Sequence, residues 1–135
     1  MKSHMEIMVE YFLVARSFPV TEVYEAIGLD GEQEHQERKV FSTPSGKDYV
    51  RQENDSITYS TGYIKAADVR IPLMMIYNMV SKRTRLIKTY IDKYKLRSKF
   101  CIVINLTDNP TIIFPKKFLR LVHSLNAEIE VDSYI

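Results

Sequence analysis

Between Glu6 and Ala15 the chain alternates, with Ile7, Val9, Tyr11 and Leu13 on one side and Met8, Glu10, Phe12 and Val14 on the other. A period of two in aromatic and β-branched residues predicts a strand, and apolar groups on both sides predict a central one. The period then changes. Pro19 suits a first helical turn, Val20, Val23, Tyr24 and Ile27 form one stripe, and Gly28 supplies a stop. The acidic, glutamine-rich stretch Asp30 to Glu37 reads as a connecting loop. Arg38 to Ser42 reads as a short strand, Thr43-Pro44-Ser45-Gly46 as a turn, and Ser56 to Ile64 as a strand with Ile57, Tyr59, Thr61 and Tyr63 on one face. After Pro72, the residues Leu73, Ile76, Tyr77, Val80, Thr84, Ile87, Ile91 and Tyr94 recur every three or four positions, which predicts one long helix. Phe100 to Leu106 is nearly continuously apolar, the mark of a strand buried on both faces. Asp108-Asn109-Pro110 reads as a turn and Thr111 to Phe114 as a short strand. Pro115 opens a helix with Phe118, Leu121, Val122 and Leu125 inward, and Asn126 can take its left-handed cap. In Glu128 to Ile135, finally, Ile129, Val131 and Ile135 oppose Glu128, Glu130 and Asp132.

The resulting order is β-α-β-β-α-β followed by β-α-β. Its first six elements match a ferredoxin-like α+β sandwich, extended by the last three. One sheet with helices mainly on one face is expected, and the acidic stripe of the last strand should lie on the open face. Phe18-Pro19 and Phe114-Pro115 each lead into a short helix, a weak internal echo.

Length bounds this picture. The 135 residues form one expected domain, 1–135, large enough for a core without disulfides or metal. Residues 1–4 are read as disordered or, from Ser3-His4-Met5, as a cloning scar. No apolar run approaches a membrane span, nothing resembles a signal peptide, and a single cysteine suits a reducing compartment, so a cytoplasmic protein is expected. The formal charge of +2 does not by itself demand a polyanionic partner.

Several segments carry a family resemblance. They are Pro19–Leu29 (PVTEVYEAIGL), Tyr59–Tyr63 (YSTGY), Ile91–Leu96 (IDKYKL) and Leu125–Ile135 (LNAEIEVDSYI), in that order and spacing. Together they resemble a bacterial family catalogued only as domain of unknown function 4279. That family usually carries a tryptophan near the position of Tyr59, and this chain has none. The resemblance implies an α+β fold and a bacterial setting, and brings no catalytic residues with it.

The candidate chemistry is thin. Cys101 sits in the most apolar strand, where desolvation suppresses the thiolate, so a structural role is expected. His35 lies among Glu32, Glu34 and Glu37 in an expected loop, without the rigid frame that a metal site needs. His123 falls in the last turn of a helix, which the dipole favours. No phosphate-binding glycine loop occurs: Gly46-Lys47 is followed by Asp48, and position 41 is Phe. No pair of carboxylates stands in an apolar setting that would split their pKa values. No enzyme, cofactor or metal is expected.

Charge is distributed more tellingly. Glu128, Glu130, Asp132 and Tyr134 form a candidate protein-binding face, and the expected function is a non-enzymatic binding module. By analogy its partner is a toxin-like effector that it neutralises, or a second copy of itself. The alternative is nucleic-acid binding through Lys82, Arg85, Lys88 and Lys95 on the outer face of the long helix, helped by Lys116, Lys117 and Arg120. A third reading is an enzyme or small-ligand binder with a pocket between the sheet and the long helix.

Overall fold

The structure is a computed structural model that describes residues 5–35, 38–42, 44–46, 48–52, 54–105 and 111–134. The protein is α+β, built on a mixed six-stranded sheet. Strand β1 (Met5–Ala15) lies at its centre. On one side β1 pairs antiparallel with β5 (Asp55–Ser60) and β6 (Ile64–Ala66), and β5 pairs in turn with β2 (Glu32–Glu34). On the other side β1 pairs antiparallel with β7 (Arg97–Asn105), which pairs parallel with β8 (Glu128–Tyr134). A separate two-stranded sheet joins β3 (Arg38–Ser42) to β4 (Asp48–Gln52).

The helices are α1 (Val20–Ile27), α2 (Arg70–Val80), α3 (Thr84–Tyr94) and α4 (Lys116–Ser124). Segments α2 and α3 follow without a gap, joined by a 3-10 turn at Ser81–Arg83, so the expected single helix is one length with a tightened middle. The cause is local. Arg83 leaves helical geometry (φ −116°, ψ 12°), and the Thr84 hydroxyl donates to the Ser81 carbonyl at 2.9 Å, a side-chain bond that competes with the helical ladder. Pro19 and Pro115 sit at the N-caps, and their carbonyls accept the first helical bonds, from Val23 and Leu119. Gly28, Lys95 and Asn126 take positive φ at helix ends.

The core lies on one side of the sheet. Ile7, Val9, Tyr11 and Leu13 of β1 form one cluster with Ile57 and Tyr59, with Phe100, Ile102 and Ile104, and with the buried apolar residues of all the helices. A file of aromatic rings runs out of the sheet: Tyr11 lies 4.5 Å from Phe100, which meets Phe118 of α4 edge-on at 5.1 Å. The Tyr11 hydroxyl and the Ser98 hydroxyl hydrogen-bond at 2.6 Å inside this core. The space between the sheet and the helix of residues 70–94 is thus filled by side chains such as Leu73, Ile76, Ile87 and Tyr11. Buried Asp55 accepts the Phe18 N–H at 3.0 Å, tying the β1–α1 connection to β5.

Several expectations change. The segment expected as a loop contains strand β2, whose fully exposed Glu-Gln-Glu sequence has no apolar signal; main-chain pairing to β5 alone makes it a strand. The strand Arg38–Ser42 is present but belongs to the separate hairpin. The expected strand Ser56–Ile64 is broken at Thr61–Tyr63. There Gly62 adopts φ 68° and the Thr61 hydroxyl accepts the Val9 N–H at 3.0 Å in place of a backbone carbonyl. The break changes the phase, so Tyr63 is exposed while Ile64 and Ala66 face the core. Residues 111–115 are irregular rather than a strand; Phe114 packs on Phe118 at 6.1 Å, and Ile112 and Ile113 are exposed. The expectations for residues 1–4, Glu37, Thr43, Leu106, Asp108-Asn109-Pro110 and Ile135 lie outside the described residues.

Candidate functional site

Alternation along a strand sends every second residue to the opposite face. In β1 those residues are Glu6, Met8, Glu10, Phe12 and Val14, and none of them belongs to the core cluster. Among the described residues this face has no helical layer. Register decides its composition. One row across the sheet runs Glu32, Thr58, Phe12, Lys99, Glu128. The next runs Ser60, Glu10, Cys101, Glu130, and a third runs Met8, Val103, Asp132. With Glu6 and Glu34, the described strands place seven carboxylates here, against the three cations Lys65, Arg97 and Lys99. The whole chain carries +2. The acids are therefore gathered on one surface, while much of the positive charge sits elsewhere.

Two hollows flank Phe12 on this face. One, of about 410 Å³, is lined by Met8, Glu10, Asp30, Glu32, Thr58 and Ser60. The other, of about 200 Å³, is lined by Phe12, Val14, Arg97, Lys99 and Glu128, with Ser98. The first depends on Gly31. The Tyr24 hydroxyl accepts the Gly31 N–H at 3.0 Å and donates to its carbonyl at 3.1 Å. A Cβ at Gly31 would lie 2.4 Å from the Thr58 carbonyl oxygen and 2.7 Å from the Tyr59 ring. Only glycine lets the chain pass this close to β5, and that approach carries Asp30 and Glu32 to the rim of the hollow.

The electrostatics follow from crowding. Burial, and then the neighbouring charge of Glu32, raise the Glu10 carboxyl above its ordinary value. Burial and the carboxylates of Asp132 and Glu130 push the Cys101 thiol up to about 11. Its S–H donates to Asp132 Oδ2 at 3.8 Å. The Lys99 ammonium pairs with Glu130, and that hydrogen bond raises the lysine. Ligand atoms of Cys101, Glu130 and Asp132 lie within 4.8 Å of one another. A divalent ion there would have to displace the Lys99 ammonium and the thiol proton, so this arrangement favours a neutralised cluster over a cation site.

The four residues named from sequence for a protein-binding face come together. Glu128, Glu130, Asp132 and Tyr134 share one side of β8, beside Lys99, Cys101, Val103 and Asn105 of β7. The contributions of Met8, Glu10, Phe12 and Glu32 were missed; the alternation of β1 was the available signal, but only pairing brings Glu32 alongside. Lys82, Arg85, Lys88 and Lys95 are all exposed on the helical side. Nearby, Tyr77, Ser81, Thr84, Lys117, Arg120, Leu121 and Ser124 line a further hollow of about 250 Å³. Cys101 points to the open face, whereas His123 is exposed on α4 across the sheet. His35 hydrogen-bonds Thr21 at 3.3 Å.

Among the described residues, no helix is long and apolar enough to cross a membrane. Comparison with curated proteins and with solved structures finds no match. A family model does match, over residues 5–135, the whole of the described fold. The chain belongs to the family described as Domain of unknown function (DUF4279).

Proposed function

We propose that this chain is a non-catalytic binding protein whose open sheet face receives a basic protein partner. The observation that carries the reading is the segregation of charge: seven carboxylates gather on a sheet face that has no helical layer among the described residues, in a chain whose net charge is positive. Met8 and Phe12, both half-buried, offer apolar contact between those charges, and the two hollows give the surface relief. Acidic groups around such a surface speed encounter with a cationic partner and reject anionic ones. The strand order β2-β5-β1-β7, antiparallel throughout, supports reading the larger part as a ferredoxin-like sandwich, with β8 as a parallel extension. The lone cysteine, held as a thiol, suits a bacterial cytoplasm.

The test begins with affinity capture by the wild-type chain and by the triple variant Glu128→Lys, Glu130→Lys, Asp132→Lys. Captured proteins are identified, purified and rebound while hydrogen exchange is followed. A basic protein that is released by salt, lost by the variant and protective of β7 and β8 supports the reading. Unchanged binding by the triple variant overturns it.

A second reading has its own observation. Lys117 and Arg120 line a hollow on the helical side, close to the basic helix. On this reading a nucleic acid docks there, and a salt-sensitive gel shift should vanish with Arg85→Glu and Lys88→Glu. No shift at low salt removes it.

A further inference from the structure

The open face ends in an edge, and the two edges of this sheet differ. On one side β2 is three residues long. On the other β8 runs for seven residues and pairs, among the described residues, only with β7. Every described side chain of β8 is exposed or half-exposed. Its outward N–H and C=O groups form a template for another strand.

We infer that the partner adds a strand to the outer edge of β8, and that the segment it contributes alternates basic and apolar residues. This rests on the binding-protein reading above and names the form of its partner. Side chains of an added strand stand beside those of β8 on the same face, with Cβ atoms about 5 Å apart. On the open face they meet Glu128, Glu130 and Asp132; Lys99 already pairs with Glu130, so Glu128 and Asp132 are the acids nearest to hand. On the other face they meet Ile129 and Val131, the latter 41% exposed. Lysine or arginine fits the first set and an aliphatic residue the second. A second copy does not fit. Two β8 strands paired antiparallel would set carboxylates against carboxylates, which destabilises the pair. The acids thus disfavour self-pairing at an otherwise open edge while leaving it available to a cationic strand. Main-chain hydrogen bonds would hold the segment and the alternation would select it, as in other cases of strand addition.

The experiment uses the full chain and three synthetic probes. These are a seven-residue peptide of alternating lysine and valine, a peptide of the same composition with its lysines and valines in two blocks, and the alternating peptide N-methylated along its backbone. Binding is followed by fluorescence anisotropy at low salt and by hydrogen exchange of β8. The alternating peptide should bind at least about tenfold more tightly than either control and protect β8, and Glu128→Lys with Asp132→Lys should erase that preference. Equal binding of all three peptides, lost on charge reversal, overturns strand addition while leaving the acidic face as the binding surface. Equal binding unaffected by charge reversal overturns both. No saturable binding of any peptide overturns strand addition, and the capture experiment then decides the broader reading on its own. A dimer of the free chain that dissociates on charge reversal in β8 would place a second copy on the edge and also overturn it.

Discussion

The two faces of the sheet are made by the same strands and behave as different materials. Tyr11 and Phe100 point inward, are fully buried, and lie in a chain of rings that reaches α4. Their neighbours Phe12 and Lys99 point outward and share a row with Glu32 and Glu128. Burial on the first face is secured by helices. On the second face, Cys101 and Val103 are buried without joining the main core, between neighbours that are charged or long. The difference separates a face closed by packing from a face that gathers carboxylates. The helical side can change charge at its outer surface without touching the sheet, whereas a change beside Cys101 or Val103, in β1 or β8, alters both the surface and the packing of β7.

The strongest challenge to this contrast is the same deletion on the two faces. Phe100→Ala should cost about 3–5 kcal/mol, because it empties a filled position between Tyr11 and Phe118. Phe12→Ala, on the half-buried side, should cost about 1–2 kcal/mol. Urea unfolding of both variants checks this, and equal losses would erase the distinction.

Within the core face a finer contrast exists. Tyr11→Phe strands the buried Ser98 hydroxyl and should cost about 1–3 kcal/mol. Tyr59 is just as buried, but its hydroxyl has no hydrogen-bond partner among the described residues. Tyr59→Phe should therefore be neutral or slightly stabilising. A large loss at Tyr59 in the same unfolding assay would reveal a bond that this packing does not contain.

On the open face the thiol reports the acidic surroundings. Because the Cys101 pKa is pushed up to about 11, its thiolate is scarce at pH 8. Alkylation by iodoacetamide should run roughly one to two orders of magnitude slower than for an ordinary exposed cysteine, and should accelerate through the alkaline range. Asp132→Asn removes a carboxylate that raises the pKa, so the rate at pH 8 should increase. A slower or unchanged rate in that variant contradicts the assigned cause.

The smallest expected effect belongs to Glu10. Its carboxyl is raised in the folded state, so as pH climbs past the ordinary carboxylate value the unfolded chain releases its proton first. Stability falls across that window, and the penalty persists at neutral pH. Glu10→Gln should raise the urea midpoint at pH 7 and leave it nearly unchanged at pH 4. An equal shift at both values would show that charge is not the reason.

Much of this architecture is legible along the chain because its signals are local. The alternation of Ile7, Val9, Tyr11 and Leu13 marks β1, the stripe from Leu73 to Ile91 marks the long helix, and Gly28 and Asn126 mark helix ends. The acidic side of β8 is equally plain, since Glu128, Glu130 and Asp132 alternate with Ile129 and Val131. What escapes has no local mark. Glu32–Glu34 becomes a strand only because β5 offers it hydrogen-bond partners, and the clearance at Gly31 exists only once Thr58 and Tyr59 are in place. The break at Gly62 depends on a Thr61 side chain meeting Val9, fifty-two residues away.

From the sequence alone come the helices, the strands β1, β7 and β8 with their two faces, and the burial of Cys101, because side-chain period and local geometry act over a few residues. The tertiary structure decided which strands stand side by side, and so which charges share a surface. Register between β2, β1, β7 and β8 is a long-range property, set when distant segments close on one core.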